Sequence, residues 1–407
     1  MGHGAENRPI LNERLPLYAA IGTLLGVLLA CGTSPMRFSV AAGLLLLVMT
    51  LAVWCGKRRL CVVTACALLF FVYGTLRLPA GGRLPSYGAV IEPDPSGLYA
   101  PFLSARETIG AHIDELFPQY AGVARGMLLG DRSGIPPAIR DAYRDAGMLH
   151  LLAVSGLHVS TIAGAFSLLF RRNAALRVAL TALFCAFYAA LTAFSPSVLR
   201  ASIMLVYALA GTPLQRRPDP VISISLAFVT VLLLNPTALF YTGFQLSFCA
   251  VYGLILLGND LRRPIRWLGE ELSALLAASA AVQIASLPAM AAAFGEVSPM
   301  PVLTNLIVLP LVPFFFLPAF AAVVVSFVSF PAASVIAVPA RITLRVLVTL
   351  AETVGRTAIR IPPPSLAAYL LFLAALLFFS RLFLRDVRTR AFTGTVLLAI
   401  SALIWTL

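Results

Sequence analysis

The sequence predicts an all-α protein, a polytopic helical membrane protein of about 11 to 13 transmembrane helices, some broken or re-entrant. Three observations predict it. Of 407 residues, 60% are hydrophobic and only 12% are charged, about half the charged share of a soluble domain. Apolar runs able to cross a hydrocarbon core of about 30 Å recur along the chain. Basic clusters fall between these runs at places that agree with a single orientation.

Runs near 15–31, 39–55 and 60–77 open the chain, with Lys57-Arg58-Arg59 between the second and third. Met1 to Arg14 is polar and no small-residue cleavage site follows, so no cleaved signal peptide is expected. Residues 78–101 are rich in Gly and Pro. Phe102 to Phe117 then carries apolar residues at helical spacing, with Arg106, Glu107, Asp114 and Glu115 elsewhere. That pattern predicts a helix lying in the membrane interface. Ser133 followed by Pro136-Pro137 marks the start of a further short helix.

Spans resume near 147–170, 174–192, 196–212, 220–235, 240–258, 272–294, 301–329, 332–356, 365–384 and 391–407. The run 332–356 carries Arg341, Arg345, Glu352 and Arg356; it spans with a polar face or lies on the inner surface. The chain thus divides into a three-span region (1–77), an external loop with amphipathic interfacial helices (78–146), a core (147–330) and C-terminal spans (331–407). No period of 20–50 residues indicates tandem repeats.

An N-terminus in the cytoplasm puts Lys57-Arg58-Arg59 inside, together with Arg171-Arg172, Arg216-Arg217, the Arg262-Arg263-Pro264-Ile265-Arg266 turn and the basic residues of 385–390. It leaves 78–146 outside. The net charge of +13 is then partly the ordinary excess of inner loops; the remainder is compatible with a polyanionic partner and does not demand one. Nothing resembles a GxxxxGK[ST] phosphate loop or HExxH, so the chain is not its own ATP-driven motor. The six cysteines lie in or beside apolar runs without a CxxC pair. His150 and His158 stand about 12 Å apart along a helix, too far to share a metal. No cofactor and no metal are expected.

What remains is a set of polar groups inside spans. The stretch Gly147-Met-Leu-His150-Leu-Leu-Ala-Val-Ser155-Gly156-Leu-His158 holds two histidines, a serine and a helix-weakening glycine. Others are Arg200, Gln245, Ser247, Gln283 and Asn305, several beside Pro or Gly. Such groups are costly in hydrocarbon unless they face protein or water, and they mark paths and binding sites. Each also has a plainer reading. Serines in spans bond preceding carbonyls, amides join helices, and an arginine near a span end snorkels to the headgroups. Asp131, Arg132, Arg140, Asp141, Arg144 and Asp145 read as a solvated ion-pair network on the outer face.

The run Met127-Leu-Leu-Gly-Asp131-Arg132, followed by Gly147 to Val159, resembles the signature of the ComEC-type competence proteins. The likeness continues through Ser195-Pro-Ser-Val-Leu-Arg200-Ala-Ser, Arg217-Pro-Asp219, Asn235-Pro236 and Gly243-Phe-Gln245-Leu-Ser247. It extends to Gln283-Ile-Ala-Ser-Leu-Pro288 and Asn305-Leu-Ile-Val-Leu-Pro310, so it covers about residues 120–315. Long members of that family carry an OB-like domain after the first spans and a C-terminal metallo-β-lactamase-like domain with a histidine-rich motif. Here the corresponding places hold only the stretch 78–101 and a final apolar run.

The resemblance implies the membrane channel part of such a protein, not an enzyme, in the bacterial inner membrane. It would pass single-stranded DNA inward. His150, Ser155, Gly156, His158, Arg200, Gln245, Ser247, Gln283 and Asn305 would line the path, with Asp131 and Arg132 a family motif at the outer face. The physics asks these groups to converge around one hydrated lumen, since a strand carries a charge at every nucleotide. Besides membrane lipids, the implied partners are a cytoplasmic helicase-like ATPase and an external DNA receptor, with a separate nuclease for strand degradation. Two other classes stay open. One is a transporter of a small-molecule or lipid-precursor cargo on the same scaffold. The other is an intramembrane serine hydrolase using Ser155 and His158, three apart on a helix.

Overall fold

The computed structural model describes residues 15–30, 62–70, 100–152, 154, 156–169, 173–211, 218–354, 358–379 and 387–406. Ser155, the expected span 39–55 and the basic residues at 57–59, 171–172, 216–217 and 385 lie outside them. The fold is all-α, as composition predicts. Helix α1 is Leu15–Ala30, and residues 62–70 form α2. Then come α3 (Ala100–Leu116), α4 (Ala121–Leu129) and α5 (Pro137–Asp145). A 3-10 turn, Leu149–Leu152, leads into α6 (Gly156–Leu169). The series continues with α7 (Ala174–Leu191), α8 (Pro196–Ala210), α9 (Pro220–Leu234), α10 (Thr242–Arg262), α11 (Glu270–Phe294) and α12 (Pro301–Ser326). It closes with α13 (Phe330–Ile336), α14 (Val338–Val354), α15 (Leu366–Phe379) and α16 (Val387–Thr406).

Among the described residues four helices are long and apolar enough to cross a membrane: Ala174–Leu191, Thr242–Leu268, Glu270–Phe294 and Pro301–Ser326. Helices α13 and α14 together make a fifth candidate, bent by 48° at their junction. The apolar run read at 332–356 thus falls, up to Val354, on a bent helix pair whose length and composition suit a broken span or a re-entrant loop. Five further apolar helices are shorter, among them Pro196–Ala210 and Pro220–Leu234.

Helix starts follow their sequence signals. Pro137, Pro196, Pro220 and Pro301 occupy the first turn, where proline's missing N–H costs nothing and its φ suits the helix. Asp219 caps α9, its Oδ1 accepting from Val221 N at 2.8 Å and Ile222 N at 3.4 Å. Asn235 caps the 3-10 turn Pro236–Phe240 through Thr237 N at 2.9 Å. Both belong to the motifs quoted above, and both act locally.

Two large hydrophobic cores hold most of the described helices, and smaller clusters around Phe372 and Leu17 add to them. The larger joins Ile113, Leu116 and Met127 of the 100–146 segment to Val159, Tyr188, Phe315, Phe316 and Leu347. The 100–146 segment is tied to both ends of α12: Thr304 Oγ1 donates to Ala146 O at 3.4 Å and His112 Nδ1 lies 2.8 Å from Ser326 Oγ. The stripe predicted over 102–117 thus packs on α12 and α14. Arg341 of α14 supports this contact: its Nε donates to Leu116 O, the last residue of α3, at 2.8 Å. The second core gathers Ala20, Val27, Phe70, Ile224, Phe228, Phe244 and Phe248 from α1, α2, α9 and α10. A two-residue strand pair, β1 (Glu296–Val297) with β2 (Ile359–Arg360), clips the α11–α12 connection to the one before α15.

Candidate functional site

Helices α6, α8 and α10 begin together at one end of the bundle, and the site lies there. Ser197 Oγ, in the first turn of α8, donates to Gly243 O in the first turn of α10 at 3.4 Å. Arg200, one turn further on, is only 8% exposed. Its Nε donates to Ser247 Oγ at 2.8 Å, and Nη1 approaches Met204 Sδ at 3.6 Å. The far end of the guanidinium lies against α6: a methyl group at Gly156 would stand 3.1 Å from Nη2 and 3.4 Å from the Ala201 side chain. Glycine is what permits this approach.

Three predicted residues, Gly156, Arg200 and Ser247, therefore meet, although they come from three helices. No carboxylate lies within ion-pair distance of Arg200 among the described residues. Nη2 has no hydrogen-bond partner among them either. Burial and the tether to Ser247 hold the guanidinium within the bundle. A guanidinium keeps its proton in proteins, so a full positive charge sits here beside the positive end of α6.

The turn that delivers α8 to this place is strained. Ala193 and Phe194 have φ of 54° and 51°, the left-handed region that costs a non-glycine residue about 1–2 kcal/mol. Phe194 N donates to Ala189 O at 2.7 Å, closing the end of α7. Neither this turn nor the Met204 contact was anticipated from sequence; Met204 was visible only as the residue four beyond Arg200.

Ser155 lies outside the described residues, and the other described candidates do not join this group. His158 is fully buried and stacks on Phe316 of α12, with ring centroids 4.6 Å apart and planes 5° apart. Hydropathy cannot tell a path-lining histidine from one packed on an aromatic ring. His150 is exposed in the 3-10 turn, its Nδ1 3.2 Å from Gly147 O. Gln245 Nε2 donates to Leu239 O at 3.0 Å, while its Oε1 is buried without a partner among the described residues. Gln283 Nε2 donates to Ser298 O at 2.6 Å and so ties α11 to the segment before α12. Asn305 Oδ1 is buried on α12 and likewise unpartnered among the described residues. Two cavities, of about 270 and 150 Å³, lie elsewhere: one between α1, α2 and α9, the other between Phe117–Tyr120 and α14.

Asp131 and Arg132 build a brace. Arg132 Nε donates to Leu152 O at 3.1 Å, holding the 3-10 turn that precedes α6. Asp131 Oδ1 accepts from Ser133 N at 3.1 Å and Ser133 Oγ at 2.7 Å. Arg125 bridges Asp131, at 3.6 Å, and Asp114. Burial alone would raise the Asp131 carboxyl, but the two Ser133 bonds and the charges of Arg106 and Arg125 outweigh it and hold it below its ordinary value. Tyr188 Oη completes the brace by donating to Leu128 O at 2.7 Å, which fixes α4 to α7. Among the described residues no group of three or more His, Cys, Asp or Glu side chains could hold a metal.

A family model described as Competence protein matches residues 127–386. The chain is 34% identical over 233 residues to ComE operon protein 3 of Bacillus subtilis (strain 168), covering 56% of this chain and 30% of that protein. It is 33% identical over 145 residues to Competence protein ComA of Neisseria gonorrhoeae, covering 33% and 21% respectively. With YcaI of Escherichia coli (strain K12) it shares 30% identity over 270 residues, covering 62% of this chain and 34% of that one. The chain therefore spans about a fifth to a third of these relatives' length. No solved structure matches it.

Proposed function

The chain belongs to the Competence protein family, and we propose that it carries single-stranded DNA through the bacterial inner membrane into the cytoplasm during natural transformation. The observation that carries this reading is the meeting of Gly156, Arg200 and Ser247 around a buried cation without an acidic partner among the described residues. A strand presents one negative charge per nucleotide and cannot enter hydrocarbon uncompensated. A lone arginine attracts a phosphate and still releases it, which suits passage better than tight binding. Asp131, Arg132, Asp219, Asn235 and Gln283 support the helices that hold this point, through the local bonds described above.

In this reading the N-terminus is cytoplasmic, and the end where α6, α8 and α10 begin faces outward. The exposed Arg263 and Arg266 at the other end of α10 receive the emerging strand. Motive force comes from a cytoplasmic helicase-like ATPase, the strand from an external DNA receptor, and strand degradation from a separate nuclease.

A photo-crosslinking residue placed at Met204 tests this directly in cells taking up labelled DNA. The expected product is an adduct with single strands, absent from a control position such as Phe392, which is 73% exposed on α16. Equal labelling at both positions, or none at Met204 during active uptake, removes the reading.

A further inference from the structure

Charge balance at Arg200 leads one step further. The guanidinium is nine-tenths buried, and among the described residues it has no carboxylate within ion-pair reach. Its neighbour Gly156 is the first residue of α6. The first N–H groups of a helix lack intrahelical acceptors and carry a partial positive charge. Helices α8 and α10 start nearby, joined by the Ser197–Gly243 bond. An uncompensated cation is therefore set against a positive helix end, an arrangement that repels itself until an anion arrives.

The bonding of the guanidinium indicates where that anion sits. Ser247 occupies Nε, which fixes the plane of the group. Nη1 meets only a thioether sulfur at 3.6 Å, a weak acceptor that an oxyanion displaces. Nη2 has no acceptor among the described residues. Both outer nitrogens of the fork thus remain available, and they match two oxygens of one planar or tetrahedral oxyanion. Gly156, lacking a side chain, lets the guanidinium lie close against the start of α6.

We propose that Arg200 and the N-terminus of α6 form a binding station for a single phosphodiester monoanion, occupied in the resting protein and exchanged as each new phosphate arrives. One cation suits one negative charge; a doubly charged monoester would leave charge unbalanced. The identity of the arriving phosphodiester as a DNA strand rests on the function proposed above, whereas the station itself does not.

The test uses the full chain, purified in a neutral detergent free of phospholipid, with dimethyl phosphate as the minimal phosphodiester. At matched ionic strength in chloride, dimethyl phosphate at ten times its Kd raises the thermal midpoint by about 1–2 °C. Arg200→Gln abolishes the shift and Arg200→Lys keeps part of it. No shift in the unmodified chain overturns the proposal, and so does a full shift in Arg200→Gln. Should neither variant fold, that first comparison in the unmodified chain still decides. Two further arms identify the source: a short oligodeoxythymidylate, and vesicles containing phosphatidylglycerol. Competition of the oligonucleotide with dimethyl phosphate is the expected result. Competition by the lipid alone leaves the station standing and counts against the DNA strand as its ligand.

Discussion

Arg200 Nε donates to Ser247 Oγ at 2.8 Å, joining residues 47 positions apart on α8 and α10. The bond orients a buried charge and so is worth more than a neutral one. Ser247→Ala is expected to cost about 1.5–3 kcal/mol of stability and to lower DNA uptake, whereas Ser247→Thr retains both. Thermal unfolding of the purified variants, alongside transformation frequency, checks this.

Gly156 controls how close the guanidinium lies to α6. A Cβ there would meet Nη2 at 3.1 Å, the end of a flexible side chain that can yield by a few tenths of an ångström. Gly156→Ala therefore costs under about 1 kcal/mol, and Gly156→Val more, because a β-branched residue adds methyl groups where the guanidinium and the Ala201 side chain already lie close. Uptake should fall in the same order. Equal uptake in the valine variant and the unmodified chain contradicts the placement.

His158 and Phe316 stack in the larger core. His158→Ala removes packing where there is no exposure, so a loss of about 2–4 kcal/mol follows. A double-mutant cycle with Phe316→Ala should return a coupling of about 0.5–1.5 kcal/mol. Strict additivity would mean that the rings do not interact.

Asp131 makes the brace acid-sensitive. Its folded carboxyl lies below the ordinary value of 3.8, so its contribution is complete above that pH and is lost as pH falls further through the folded value. Ser133→Ala removes the hydroxyl bond of 2.7 Å and moves the midpoint of acid unfolding upward. Unfolding curves of the two proteins between pH 5 and 2, an interval of about three pH units around the carboxylate range, measure the difference.

The turn before α8 offers a stabilising change. Ala193 has a φ of 54°, where glycine is free of the Cβ penalty, so Ala193→Gly should gain about 1 kcal/mol. The thermal midpoint reports it.

The α-helical membrane class was readable because burial in lipid imposes long apolar runs, and each run from 174 to 354 returned as a helix or a bent pair. Gly156, Arg200 and Ser247 were readable one at a time, as polar or flexible residues in apolar surroundings. Their contact was not, since it depends on three helix starts meeting in space. Asp219 and Asn235 carried a local signal, an Asx residue before proline at the head of a helix, and the structure makes them caps. Gln283 and His158 show what a sequence pattern leaves undetermined. A polar residue in a span gives the same sequence pattern whether it faces a path, bonds the Ser298 carbonyl or stacks on Phe316.

The most direct measurement is the entry of labelled single strands into the cytoplasm of cells that depend on this chain, with Arg200→Ala present in the membrane at the unmodified level. Passage past a required cation predicts a loss of more than about tenfold, the equivalent of roughly 1.4 kcal/mol at the rate-limiting step, with partial rescue by Arg200→Lys. Entry within about twofold of the unmodified chain, a change of under about 0.5 kcal/mol, would show that the strand travels elsewhere.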